Sequence, residues 1–72
     1  MGTAELKVSF VVGTSIEAAF EESMRLAQML RVVISFDFND VKCHAYPNGT
    51  VNEGVESYKS ALKTKIGWAY NN

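Results

Sequence analysis

Cysteine, histidine, proline and tryptophan occur once each in this chain, and arginine only twice, at Arg25 and Arg31. One cysteine excludes an internal disulfide, and one cysteine with one histidine cannot complete the ligand shell of a structural zinc site. Neither metal nor cofactor is expected. Two arginines in a chain of net charge −1 leave no dense basic surface to displace counterions. That argues against a dedicated DNA- or RNA-binding domain. No apolar run nears the ~20 residues that span a bilayer. The apolar stretch at residues 8–12 is too short for a signal peptide and follows an acid. The Met1-Gly2 start lacks the Ser or Thr that myristoylation wants at the sixth position, which is Leu6. Asn48-Gly49-Thr50 matches the glycosylation pattern but, with no export signal, is taken as a turn. The expected setting is cytoplasmic and reduced, with no membrane partner.

What is present is an ordinary globular composition, 47% hydrophobic and 21% charged over 72 residues. Residues 1–72 form one domain, with an ordered core over about 5–66 and an aromatic tail over 67–72. So small a domain buries only ~60% of the surface its unfolded chain exposes. With disulfide and metal excluded, association with a copy of itself is the remaining route to stability, so a homo-oligomer is expected.

The chain alternates over residues 5–12, ELKVSFVV, with Leu6, Val8, Phe10 and Val12 on one side, and predicts a half-buried strand ended by Gly13. Thr14 with Glu17 has the spacing of a capping box. Beyond it, Ile16, Ala19, Phe20, Met24, Leu26, Ala27 and Leu30 share an apolar arc, which predicts a helix over 15–30. Glu21 and Arg25 are spaced for an ion pair on its outer face. The β-branched and aromatic residues 32–38 predict a second strand. Asn39-Asp40 reads as a two-residue hairpin loop, and residues 41–46 return until Pro47 ends the strand. Thr50 and Glu53 repeat the capping spacing, and Val51, Val55, Tyr58, Ala61, Leu62 and Ile66 share one face. A second helix follows over about 51–65, stopped at Gly67.

Reversal at Asn39-Asp40 fixes the pairings Phe38 with Val41, Asp37 with Lys42, Phe36 with Cys43, Ser35 with His44, Ile34 with Ala45 and Val33 with Tyr46. One face is then apolar and the other mixed, a separation that a one-residue slip would scramble. Cys43 and His44 point to opposite sides, so a Cys–His dyad is excluded despite their adjacency. Ser35, His44 and Asp37 share a face, but a flat sheet supplies neither a strained elbow nor oxyanion donors, and Lys42 is the expected partner of Asp37. No enzyme is expected.

Two surfaces remain as candidates. Residues 57–72 carry Lys59, Lys63 and Lys65, no acid, and the aromatics Tyr58, Trp68 and Tyr70. Lysines beside stacking aromatics suit a planar anion such as a nucleotide, so Lys59, Lys63, Trp68, Tyr70 and Arg25 are candidate ligand contacts at a subunit interface. The mixed sheet face, with Tyr46, His44 and Val33, is the candidate protein interface.

The stretch FDFNDVKCHAYPNGTVNEGVESYKSAL, preceded by AFEESMRLAQMLRVVIS, resembles a type of small bacteriophage protein. These have a helix, a hairpin with an F-x-F-N-x-V turn, a proline and a short final helix with a tyrosine. The likeness covers roughly residues 18–64. It departs from the pattern at Asp40, where glycine is expected, and in the extra first strand. Several such phage proteins sequester nucleotide immune signals. The resemblance therefore implies a counter-defence sponge in a bacterial host; the open sheet face offers the alternative, a protein–protein adaptor or inhibitor.

The predicted fold is α+β, in the order β-α-β-β-α: a three-stranded mixed sheet with both helices packed on one face. The first strand pairs in parallel with residues 32–38 through a right-handed crossover in a 1-2-3 order, with 1-3-2 the alternative.

Overall fold

A computed structural model describes residues 4–72, so the Met1-Gly2 start lies outside the described residues. The elements are β1 (Glu5–Lys7), α1 (Ile16–Leu30), β2 (Val33–Phe38), β3 (Val41–Ala45), α2 (Val51–Thr64) and β4 (Trp68–Tyr70). The chain is α+β, but the mixed sheet has four strands in the order β1-β2-β3-β4, not three. β1 runs parallel to β2, β2 antiparallel to β3, and β3 parallel to β4. The expected tail is therefore an edge strand. No helix among the described residues is long and apolar enough to cross a membrane.

The hairpin forms as its sequence predicts. Asn39 and Asp40 both take positive φ, 47° and 66°. Such a turn matches the twist of the flanking strands. The predicted register holds from Phe38↔Val41 to Ile34↔Ala45. The expected Val33–Tyr46 pair is not part of the ladder. Instead the side chain of Asn71 takes over at Tyr46, accepting from its N–H at 2.6 Å and donating to its carbonyl at 3.0 Å. The Asn71 carbonyl also accepts from Thr50 N at 3.0 Å. This clasp holds the turn between β3 and α2 against the end of β4. A Cβ at Gly49 would lie 2.1 Å from that carbonyl, so only glycine fits the turn there.

Both helices lie on one face. Phe20 of α1 packs edge-on to Phe36 at 5.1 Å, and Tyr58 of α2 packs edge-on to Phe38 at 5.4 Å. Phe36 and Phe38 project on the same side of β2, so both helices cover that side. The topology then has a consequence for handedness. The two crossovers advance in the same direction across the sheet, but β1–β2 and β3–β4 point opposite ways. With both helices on one face, the crossovers must have opposite hands, so one is left-handed. Such connections are right-handed in about 98% of cases. Burial decides against that preference: two helices can close only one core in a chain this short, and splitting them would leave two half-covered faces.

Several local expectations are corrected. The first strand stops at Lys7 rather than Val12. Phe10 still turns inward and meets Phe36 at 5.2 Å, but Val12 is fully exposed. Ser15, not Thr14, caps α1, accepting from Ala18 N at 3.1 Å. The Thr14 hydroxyl is occupied, donating to the Val11 carbonyl at 2.7 Å. Leu30 is half exposed, and Ser23 is buried in its place along the inner face. Thr50 caps α2 as expected, accepting from Glu53 N at 3.1 Å while its hydroxyl donates to the Glu53 carboxylate. The stop of α2 is not Gly67 but Lys65, in the left-handed region at φ 60°, matched at the end of α1 by Arg31 at φ 56°. Gly67 instead begins the approach to β4, its carbonyl accepting from Lys42 N at 2.8 Å.

Two substitutions test this packing. Gly54→Ala should destabilise, although alanine favours a helix by about 1 kcal/mol. Its Cβ would sit 2.6 Å from the fully buried Phe20 ring, and overpacking of that kind costs about 1–3 kcal/mol. A urea midpoint higher than wild type would contradict the close approach. Asn71→Ala should lower stability by about 2 kcal/mol through the orphaned Tyr46 backbone groups, with an unchanged urea slope. An unchanged midpoint would show that the clasp is not formed.

Candidate functional site

The helices leave the other face of the sheet uncovered, and alternation decides what lines it. Lys7, Ser35, His44 and Tyr70 lie side by side across the four strands. One step toward the hairpin, Asp37, Lys42 and Trp68 form a second row. Glu5, Val33 and Tyr46 belong to the same face on the far side of the first row.

The aromatic groups gather on β3, β4 and the residue after β3. His44 stacks on Tyr70 with ring centroids 4.8 Å apart and planes 19° apart. Tyr46 tilts against the same ring at 6.2 Å. The His44 Nδ1 lies 3.3 Å from the Ala69 carbonyl, which can only accept, so Nδ1 donates in this contact. Tyr70 N donates to the Ser57 hydroxyl at 3.1 Å, which ties the edge strand to α2. Trp68, 57% exposed, is the most open aromatic of the group.

Charges occupy the other half. Lys7 bridges Asp37 at 3.0 Å, correcting the expected Asp37–Lys42 pair, because β1 brings a second lysine diagonally beside the carboxylate. The hydrogen bond from Lys7 holds the Asp37 carboxyl below its usual range, with a smaller contribution from Lys42. Between these groups is a depression of about 80 Å³ lined by Glu5, Lys7, Ser35, Phe36, Asp37, Lys42 and His44. That is well short of the ~300–1,000 Å³ of a typical small-molecule pocket. Ser35, His44 and Asp37 share the face without forming a relay, since Asp37 is held by Lys7 and His44 Nδ1 by a backbone carbonyl. No group of three His, Cys, Asp or Glu able to hold a metal occurs among the described residues.

The five residues expected to form one ligand site are divided. Trp68 and Tyr70 lie on the open sheet face. Lys59 and Lys63 are exposed on α2, on the opposite side of the sheet, where Lys59 approaches Glu56 at 4.0 Å. Arg25 is exposed on α1 and makes a two-pronged pair with Glu22 at 2.7 and 2.9 Å, rather than with Glu21. The three cations therefore do not join the aromatics within one chain. Of the residues expected to form a protein interface, Tyr46 and His44 are partly exposed on the open face, but Val33 is only 4% exposed. Val33 underlies that face rather than offering a contact. The residues missed from the sequence are Lys7, whose role depends on a three-residue strand, and Asn71, whose partner lies 25 positions away.

Comparison with protein-family models, curated proteins and solved structures finds no match.

Cys43 projects into the core beneath this face, fully buried, while His44 projects outward. Burial pushes its thiol from the ordinary 9.0 up to about 12, with the Asp37 charge a lesser cause. The raised folded value means the neutral thiol contributes stability in full below the ordinary thiol pKa. That contribution is lost as pH rises from there toward about 12. At pH 8, modification of Cys43 by a thiol reagent should proceed only through opening of the fold, and should accelerate to the free-thiol rate in urea. Reaction at the free-thiol rate in native buffer would contradict its burial.

Proposed function

We propose that this protein is a non-enzymatic binding module that works through its open sheet face, as an adaptor or inhibitor of a partner protein. The observation that supports this is the gathering of Trp68, Tyr70, His44 and Tyr46 beside Lys7, Asp37 and Lys42 on a surface that no helix covers. Aromatic anchors rimmed by charge are the usual composition of an interface centre, and a shallow face suits a protein better than a small molecule. The phage resemblance supplies the biological setting: counter-defence in the cytoplasm of a bacterial host.

A second reading keeps the nucleotide-like signal and relocates its contacts. Lys42 stands opposite Trp68 across the β3–β4 ladder, so one cation and one stacking surface remain together. Arg25, Lys59 and Lys63 would join only if a second subunit delivered them.

Trp68 is the only tryptophan, so its emission reports directly on the face. Under the protein-partner reading, cyclic and linear nucleotides leave the emission and the melting temperature unchanged. A host protein retained by wild type and by Lys63→Ala is lost with Tyr46→Ala/Trp68→Ala. Saturable quenching by a nucleotide, abolished in Lys42→Ala, would favour the second reading instead. Retention of the same host protein by the Tyr46→Ala/Trp68→Ala variant would contradict the use of this face.

A further inference from the structure

We infer that the open sheet face also accepts a second copy of this chain, in a symmetric face-to-face dimer held by reciprocal Asp37–Lys42 pairs. The inference rests on the reading of that face as the binding surface and names one occupant for it. The strand register carries it. A two-fold axis lying parallel to the strands, between β2 and β3, places β2 over β3 of the second copy and β1 over its β4. Residues that share a row then meet. In the row nearer the hairpin, Asp37 of each copy faces Lys42 of the other. In the next row, Lys7 faces the ring of Tyr70, while the buried Ser35 lies beneath the contact. Over these two rows the face is thus complementary to itself: each Asp37 meets a Lys42, and each Lys7 meets an aromatic ring.

An axis across the strands has no such match. It keeps each strand over its own counterpart and turns the Asp37–Lys42 row onto the row of Val33 and Tyr46, leaving the charges unpaired. Charge complementarity therefore selects one geometry as well as one occupant. The size of the face sets the strength. Four strands at about 4.8 Å spacing and five residues at about 3.3 Å rise give a footprint of roughly 19 × 17 Å. That lies below the ~800 Å² per partner of a standard interface, so the association is weak and concentration-dependent.

Charge reversal tests both the occupant and the pairing. Asp37→Lys carries two lysines at the contact and Lys42→Asp two aspartates, so each variant alone repels its own kind. Mixed one to one, they complement each other at both pairs. In sedimentation over a micromolar-to-millimolar concentration series, wild type should associate. Each variant alone should be weakened at least about tenfold, and the mixture should recover the wild-type behaviour. Circular dichroism of each variant confirms that it is folded. Amide shifts of wild type on dilution give a readout that needs no variant, and should move at Lys7, Asp37, Lys42, His44, Trp68 and Tyr70. Association that persists in both variants alone, a mixture of folded variants that stays monomeric, or dilution shifts confined to α1 and α2 would each overturn the inference. A wild type that remains monomeric throughout would also overturn it. That result would leave the open-face reading itself to the Trp68 emission and partner-retention measurements, which need no dimer.

Discussion

The structure depends on one backbone constraint, the pair of positive φ angles at Asn39 and Asp40. Two left-handed residues in succession reverse the chain with the right twist and leave no spare residue to absorb a slip. The side-chain period of a strand is two, so this single choice decides the direction of every residue from Ile34 to Ala45. It sends Phe36, Phe38, Val41 and Cys43 to the helices, and Asp37, Lys42 and His44 to the open face. The turn is also tied to the helical layer, since the Asn39 amide donates to the Tyr58 hydroxyl at 2.8 Å. The ring of the same tyrosine packs on Phe38. Hairpin and core therefore support each other.

Everything else is arranged to close one core in a short chain. The two βαβ units set their helices side by side, so that Phe20 of α1 fills the space left by the missing side chain of Gly54 on α2. One crossover is left-handed as a result, a cost that shared burial offsets. The last strand is only Trp68–Tyr70, yet it completes the sheet because its C-terminal end is secured from outside the ladder, by Ser57 at Tyr70 N and by the Asn71 side chain at Tyr46. The same arrangement that hides the thiol of Cys43 displays the imidazole of its neighbour.

The legible parts of the sequence were those governed by short-range periodicity. The hairpin register, the cap at Thr50 and the inner faces of Phe20, Met24, Val55 and Tyr58 follow from spacing alone. Where two adjacent residues could each perform a role, spacing could not choose between them, as at Thr14 and Ser15 or Glu21 and Glu22. Lys65 adopts a conformation in which glycine is favoured, so residue preference alone places the helix stop two residues late, at Gly67. The edge strand β4 was illegible for a different reason. Three residues carry no measurable period, and their pairing with β3 is held by contacts some 25 positions distant. Proximity in sequence alone groups Trp68 and Tyr70 with Lys59 and Lys63, although the sheet separates them.

The central claim is the register imposed at Asn39–Asp40, and proton contacts across the hairpin test it most directly. In a two-residue hairpin the closing pair Phe38–Val41 is hydrogen-bonded, so Asp37–Lys42 and Ser35–His44 are non-hydrogen-bonded pairs with closely approaching α-protons. Nuclear Overhauser effects between the α-protons of Asp37 and Lys42, and of Ser35 and His44, are the expected result. Strong α-proton contacts from Asp37 to Cys43 or from Ser35 to Ala45 would place the thiol on the open face and contradict the account.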